Sequence, residues 1–155
     1  MKTFALLLCL CIPVTAFAAD NNSYKVNYDG GSIQNLKTGS DVRLFIDADR
    51  VRIVRGKEEL VSIPASSITE ISYGQDVHRR IGTAIGLAVI SLGVGALMMF
   101  SKSKKHYIGL TWADGNKKGG LAMQCGKNDY RGELTALEGI TGKKAVDSEA
   151  MTVKN

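Results

Sequence analysis

The chain has 155 residues, of which 20 are Lys or Arg and 15 are Asp or Glu, and 45% of its residues are hydrophobic. This length suffices for one domain of ordinary size and is too short for two. The charged fraction of 23% is close to the globular average, which argues against wholesale disorder, collagen and coiled coil.

The first predicted element is a cleavable export signal over residues 1–18. Lys2 supplies a positive start, residues 4–14 are mainly apolar, and residues 16–18 read Ala-Phe-Ala. Charge, apolar core and small residues in that order are typical of a secretory signal peptide. The sequence therefore predicts an exported protein on the periplasm-facing or cell-surface side of a bacterial envelope. Cys125 is then the single cysteine of the processed chain.

Residues 19–80 are predicted to form the first strands of a β domain. Over 24–73, apolar and polar residues alternate with period two, which is typical of strands with one buried face. Turn-forming residues divide this stretch at four places: 29–30, 39–41, 47–49 and 56–57. Short strands at such regular spacing indicate a mainly-β fold, either a small antiparallel sandwich or a partly open barrel.

Residues 81–100 are predicted to be a membrane-embedded segment, because they contain no charged side chain. Twenty helical residues span about 30 Å, the thickness of the hydrocarbon core. Cations on both sides are expected to anchor the segment at the membrane interface, and they are Arg79, Arg80, Lys102, Lys104 and Lys105. Small residues on one stripe favour close helix packing, and they are Gly82, Gly86 and Gly93.

The position of this segment between strands leaves two arrangements open. A single membrane helix would put the two parts of the β domain on opposite sides and leave unpaired strand edges on each side. A helical hairpin would keep both parts on one side, where the basic flanks meet anionic headgroups. We favour one β domain on one side of the membrane, with the segment inserted.

Residues 101–146 are predicted to supply the final strands and one amphipathic C-terminal helix. Asn128 is the expected N-cap, and Gly142 is an expected stop signal. Four apolar residues recur at helical spacing between them: Tyr130, Leu134, Leu137 and Ile140. Residues 147–155 are predicted to be a disordered tail.

Three runs of residues, 42–46, 51–53 and 63–71, form an extended pair, a strand ending in Ile-Pro and a further strand beginning with Ile. In this order they resemble bacterial pleckstrin-homology-like and GRAM-like domains. The resemblance covers 24–145 and implies a set of strands closed by one C-terminal helix. The chain departs from this family in the apolar segment between strands, and no binding residue is carried over.

The sequence contains no recognisable catalytic, metal-binding or cofactor-binding motif, so no catalytic residue, metal or cofactor is predicted. Cys125 is interpreted as a core residue, because no motif places His78 or His106 near it. We expect a non-enzymatic, membrane-anchored binding or scaffold protein that contacts lipid or a protein partner, and no nucleic acid. The alternative is a self-assembling, membrane-active structural protein that forms homo-oligomers through its Gly-rich segment.

Overall fold

The computed structural model describes residues 23–77, 80–82 and 105–148. Eight strands account for most of this part of the chain: β1 Ser23–Gly31, β2 Ser40–Ile46, β3 Arg50–Arg55, β4 Glu58–Pro64, β5 Ile68–Tyr73, β6 His106–Asp114, β7 Lys117–Cys125 and β8 Val146–Asp147. A 3-10 turn at Ala65–Ser67 joins β4 to β5, and helix α1 comprises Tyr130–Thr141.

The strands form one sheet in the order β4-β3-β2-β1-β7-β6-β5-β8. Every neighbouring pair is antiparallel except β5 and β8, which run parallel. The prediction of a mainly-β protein is confirmed. Alternating residues of β1 to β3 face a core that also takes in β5 to β7, and this core contains Val26, Leu44, Ile53, Ile71 and Leu110.

The first strand is longer than the sequence indicates. The turn expected at Asp29 and Gly30 is a bulge instead, where the register with β7 shifts between Tyr28 and Gly30. β1 pairs with β2 over residues 23–28 and with β7 over residues 26–31, so the two pairings overlap in the middle of the strand. A bulge bends a strand and increases its twist. The turn-forming residues therefore bend β1 between its two partners rather than ending it.

Helix α1 packs against β2, β5 and β6. It begins after Asp129, not Asn128, and Asp129 makes no side-chain capping bond. It ends at Gly142, whose φ of 67° lies in the left-handed region where glycine carries no steric penalty. Its two fully enclosed residues are Glu133 and Leu137, so an acidic side chain lies on the face that meets the sheet.

The predicted membrane helix is wrong. Among residues 23–77, 80–82 and 105–148, no helix combines the length and apolarity needed to cross a membrane. Ile81, the first residue of the predicted segment, is fully buried in a cluster with Val77, Tyr107 and Ala122. Its apolar character therefore serves packing against β6 and β7. Residues 83–100 lie outside the described part of the chain.

Two terminal predictions fall largely outside the described residues. The signal peptide expected at 1–18 lies outside them and has no support from the structure. Of the tail expected at 147–155, Asp147 belongs to β8 and the N–H of Ser148 donates to the carbonyl of Tyr73 at 2.7 Å. Residues 149–155 are not described.

Candidate functional site

Two of the five cations expected at a membrane interface are described, and Arg80 is one of them. Its guanidinium donates to both carboxylate oxygens of Glu70, at 3.0 and 2.9 Å. This ion pair connects the helical residues 80–82 to β5. Lys105 directly precedes β6, and its carbonyl accepts a hydrogen bond from the Gln75 side chain. The other three cations, Arg79, Lys102 and Lys104, lie outside the described residues.

The glycines expected to mediate helix packing are described only in part. Gly82 is helical and half-buried, whereas Gly86 and Gly93 lie outside the described residues. Self-assembly through this stripe stays a prediction.

The structure brings His106 to Cys125, a proximity that no sequence motif signalled. The two residues are directly paired across β6 and β7. Burial, and after it the nearby Glu133, raise the pKa of the Cys125 thiol far above its usual range. Nδ1 of His106 bonds the hydroxyl of Tyr73 at 3.1 Å. Cys125 is therefore held as a neutral core thiol rather than a thiolate.

A groove of about 530 Å³ opens where β3, β2, β1 and β7 lie side by side. Strand alternation directs Lys25 and Asn27 away from the core, whereas Val26 between them is buried. The same alternation on β2 exposes Asp41 and Arg43. The groove therefore presents these polar side chains on the face of the sheet opposite the core, and apolar residues such as Val54 also line it.

Two cations face each other across the middle of this groove. Lys25 on β1 is the direct antiparallel partner of Arg43 on β2. The Cβ atoms of residues paired in this way lie about 4.5–5.5 Å apart, and like charges directly opposite each other are destabilising. Neither cation forms a salt bridge or side-chain hydrogen bond within the part of the chain that the structure describes.

The arginines of the neighbouring strand β3 are arranged differently. Arg52 lies against Asp47 and Glu59, with its NH2 group 3.1 Å from Oδ1 of Asp47. Arg50 pairs with Asp49 at 2.9 Å, and Arg55 pairs with Glu58 at 3.2 Å. The lack of a carboxylate partner thus distinguishes the groove cations from the β3 arginines.

One carboxylate lines the groove, and it already has a hydrogen bond. The amide nitrogen of Asn27 donates to Oδ1 of Asp41 at 3.0 Å and to the carbonyl of Gly39 at 2.9 Å. Gln124 on β7 lies opposite Asn27, and its side-chain amide is uncommitted among the described residues. The groove therefore offers two cations and one amide donor to an incoming acceptor.

Sequence reasoning missed this groove because its key feature is a strand register. The exposure of Lys25 and of Arg43 follows from period-two alternation, which the sequence shows. Their direct opposition depends on which residue of β1 pairs with which residue of β2. The signal available in the sequence was the pair of cations at outward positions of two early strands.

Within the same described ranges, no three His, Cys, Asp or Glu side chains are grouped closely enough to hold a metal ion. No protein-family model matches the chain, and the search of curated proteins finds no match.

Proposed function

We propose that this protein is a non-enzymatic binding protein whose β domain binds a phosphate-bearing ligand in the groove between β1 and β2. The observation that carries the proposal is the directly opposed pair of Lys25 and Arg43, which lacks an acidic partner among the described residues. An anion between them would offset a repulsion that otherwise lowers the stability of the fold.

The donors in the groove favour phosphate over carboxylate. A phosphate monoester carries a charge of about −1.5 to −2 at neutral pH and three acceptor oxygens. Lys25, Arg43 and the Gln124 amide can each donate to a different one of these oxygens. The two cations outweigh the Asp41 carboxylate, so the groove attracts anions, and a carboxylate ligand has only two oxygens for the three donors.

The resemblance to pleckstrin-homology-like domains stays a prediction. β4 ends at Pro64, β5 begins at Ile68, and a single helix, α1, follows the strands β1 to β7. Export to a bacterial envelope likewise stays a prediction.

The test is a titration of the 155-residue chain with glycerol 3-phosphate, followed by calorimetry and by amide chemical shifts. We expect binding that weakens with salt, with shifts concentrated at residues 25–27, 41–43 and 124–126. Arg43→Ala and Lys25→Ala should each weaken binding about tenfold or more, because a hydrogen bond to a charged group contributes about 1.5–3 kcal/mol. Arg50→Ala is the matched control, since Arg50 already pairs with Asp49.

A second arm distinguishes a soluble phosphate ester from a lipid headgroup. Vesicles of phosphatidylcholine with and without phosphatidate present the same phosphomonoester at a surface. If the protein binds phosphatidate vesicles and Arg43→Ala abolishes that binding, the ligand is a lipid headgroup. If it binds glycerol 3-phosphate and not the vesicles, the ligand is a soluble ester. Equal binding by the wild type, Arg43→Ala and Lys25→Ala, or no binding in either arm, would refute the proposal.

A further inference from the structure

Glu133 is a fully buried acidic residue in the first turn of α1. Neither of its carboxylate oxygens accepts a hydrogen bond from an N–H or O–H group of the described residues, and the only donor that acts on it is the weak thiol of Cys125. A buried charge without a partner is costly, and a carboxyl group in such a place avoids the cost by holding its proton. Ionisation of Glu133 therefore disfavours the packing of α1 against the sheet.

Among the described residues, the groups that face Glu133 provide no positive charge. Asp129, the N-cap residue, lies one turn before it, Tyr24 approaches from β1, and the weakly polar thiol of Cys125 approaches from β7. Burial raises the pKa of Tyr24, and the proximity of Glu133 and Asp129 raises it further, so Tyr24 stays a neutral phenol.

The remaining elements under α1 present mainly apolar side chains. Leu44 on β2 and Ile71 on β5 belong to the core. From β6, His106 lies opposite Cys125 and stacks on Tyr130, the first residue of α1. His106 is thus the titratable group of β6 whose protonation has to be separated from that of Glu133.

We propose that Glu133 is a proton-sensitive latch on the first turn of α1. Its neutral carboxyl group lets the turn lie against β1 and β7, and its ionisation loosens the turn. The proposal does not depend on ligand binding in the groove.

The direction of the pKa shift agrees with this latch. Burial raises the pKa of Glu133 to about 7, in part opposed by a hydrogen bond from the Cys125 thiol and with a smaller raising contribution from Asp129. A raised carboxyl pKa means that the folded state binds the proton more tightly than the unfolded state. Its contribution to stability is fully present below the ordinary value of 4.5 and is lost as pH rises through about 7.

Loosening of this turn would alter an aromatic cluster. Tyr130 stacks on His106 with ring centroids 3.9 Å apart, and on Tyr73 with centroids 5.5 Å apart. Tyr130 is three residues before Glu133 and moves with the same turn. Ionisation of Glu133 is therefore expected to expose the rings of His106 and Tyr73.

The experiment is amide hydrogen exchange of the 155-residue chain between about pH 5 and pH 8, corrected for intrinsic exchange rates. We expect protection of residues 130–134, relative to strand β2, to fall about tenfold or more across this range, since one pKa unit corresponds to a factor of ten. Glu133→Gln should remove that fall. Glu138→Gln, on the same helix, and His106→Phe, which keeps an aromatic ring against Tyr130, should retain it.

Two outcomes would overturn the latch: protection in the wild type that does not change with pH, or an equal fall in Glu133→Gln. Should Glu133→Gln fail to fold, a carbon-13 titration of the Glu133 carboxyl in the wild type decides. A midpoint near 7 accompanied by the loss of protection supports the latch, and a midpoint near the ordinary glutamate value refutes it.

Discussion

Trp112 and Gly119 form a cross-strand pair in which one residue has the largest side chain and the other has none. They are direct partners on β6 and β7. A Cβ atom added to Gly119 would lie 2.3 Å from Cε2 and Cζ2 of the indole. The indole therefore occupies the space that a side chain on β7 would take.

We expect Gly119→Ala to lower the free energy of unfolding by about 1–3 kcal/mol, because overpacking forces the indole or the backbone to move. Urea denaturation measures the change. Gly139→Ala is the control, since a Cβ there meets no atom within 4 Å and α1 gains about 0.5–1 kcal/mol from alanine. Unchanged stability in Gly119→Ala would mean that the indole does not rest against Gly119.

Glu138 stabilises the C-terminal end of α1. The protonation state in which it does so is the opposite of that of Glu133. Oε1 of Glu138 accepts a hydrogen bond from the N–H of Ala145 at 2.8 Å, and Oε2 lies 3.0 Å from Nζ of Lys144. The Ala145 N–H, followed by Lys144, lowers the pKa of Glu138 below its usual range. Glu138 thus stabilises α1 when ionised, whereas Glu133 stabilises it when neutral.

We expect Glu138→Gln to lower the Tm at about pH 7 and to have a smaller effect at about pH 3. A lowered carboxyl pKa contributes stability above the ordinary value, and this contribution is lost as pH falls through the folded-state value. Thermal melts at both pH values measure it. Lys144→Ala should have the smaller effect because that side chain is 90% exposed. An equal loss at both pH values would contradict the assignment.

Sequence periodicity predicts the elements better than it predicts their faces. The turns at 47–49 and 56–57, the end of β4 at Pro64 and the stop of α1 at Gly142 all follow from local residue chemistry. The four residues of the predicted apolar stripe do pack on the sheet, but the buried face also includes Glu133, which the stripe does not contain. Burial of an acidic residue depends on the tertiary surroundings, which no helical period reveals.

At the scale of the whole molecule, two features that the sequence did not reveal depend on tertiary contacts. Lys25 and Arg43 lie opposite each other only in the observed register of β1 and β2. Ile81 can pack on β6 and β7 only because small residues leave room for it there. Gly109 is one of these small residues, because a Cβ there would lie within 3 Å of Val77 and Ile81. An apolar residue such as Ile81 has the same character whether protein or lipid covers it, so the sequence could not show that Ile81 packs on the sheet.

The two halves of the sheet are covered differently. Strands β6 and β7 are packed by the core on one face and by Val77 and Ile81 on the other. The groove half, at β1 and β2, exposes one polar face. Residues 80–82 are therefore part of the folded domain, and the Arg80–Glu70 ion pair connects them to β5.

We expect Ile81→Ala to lower the free energy of unfolding by about 2–5 kcal/mol, the usual cost of removing a fully buried isoleucine side chain. Denaturant unfolding of the 155-residue chain measures this cost. Val61→Ala on the edge strand β4 is the control and should cost less, because Val61 is half-buried. A loss no larger than that of the control would show that Ile81 does not pack on the sheet.

The alternation that buries Val26 and Val42 also separates the groove from the core, because its charged side chains point the other way. Lys25 and Arg43 are exposed, so exchanging either of them removes no side chain from the core. Under the proposed function, selection can therefore change which ligand the groove binds while the core stays the same. Such a sheet is readily evolvable, since diverging descendants can retain the same interior while acquiring new specificities.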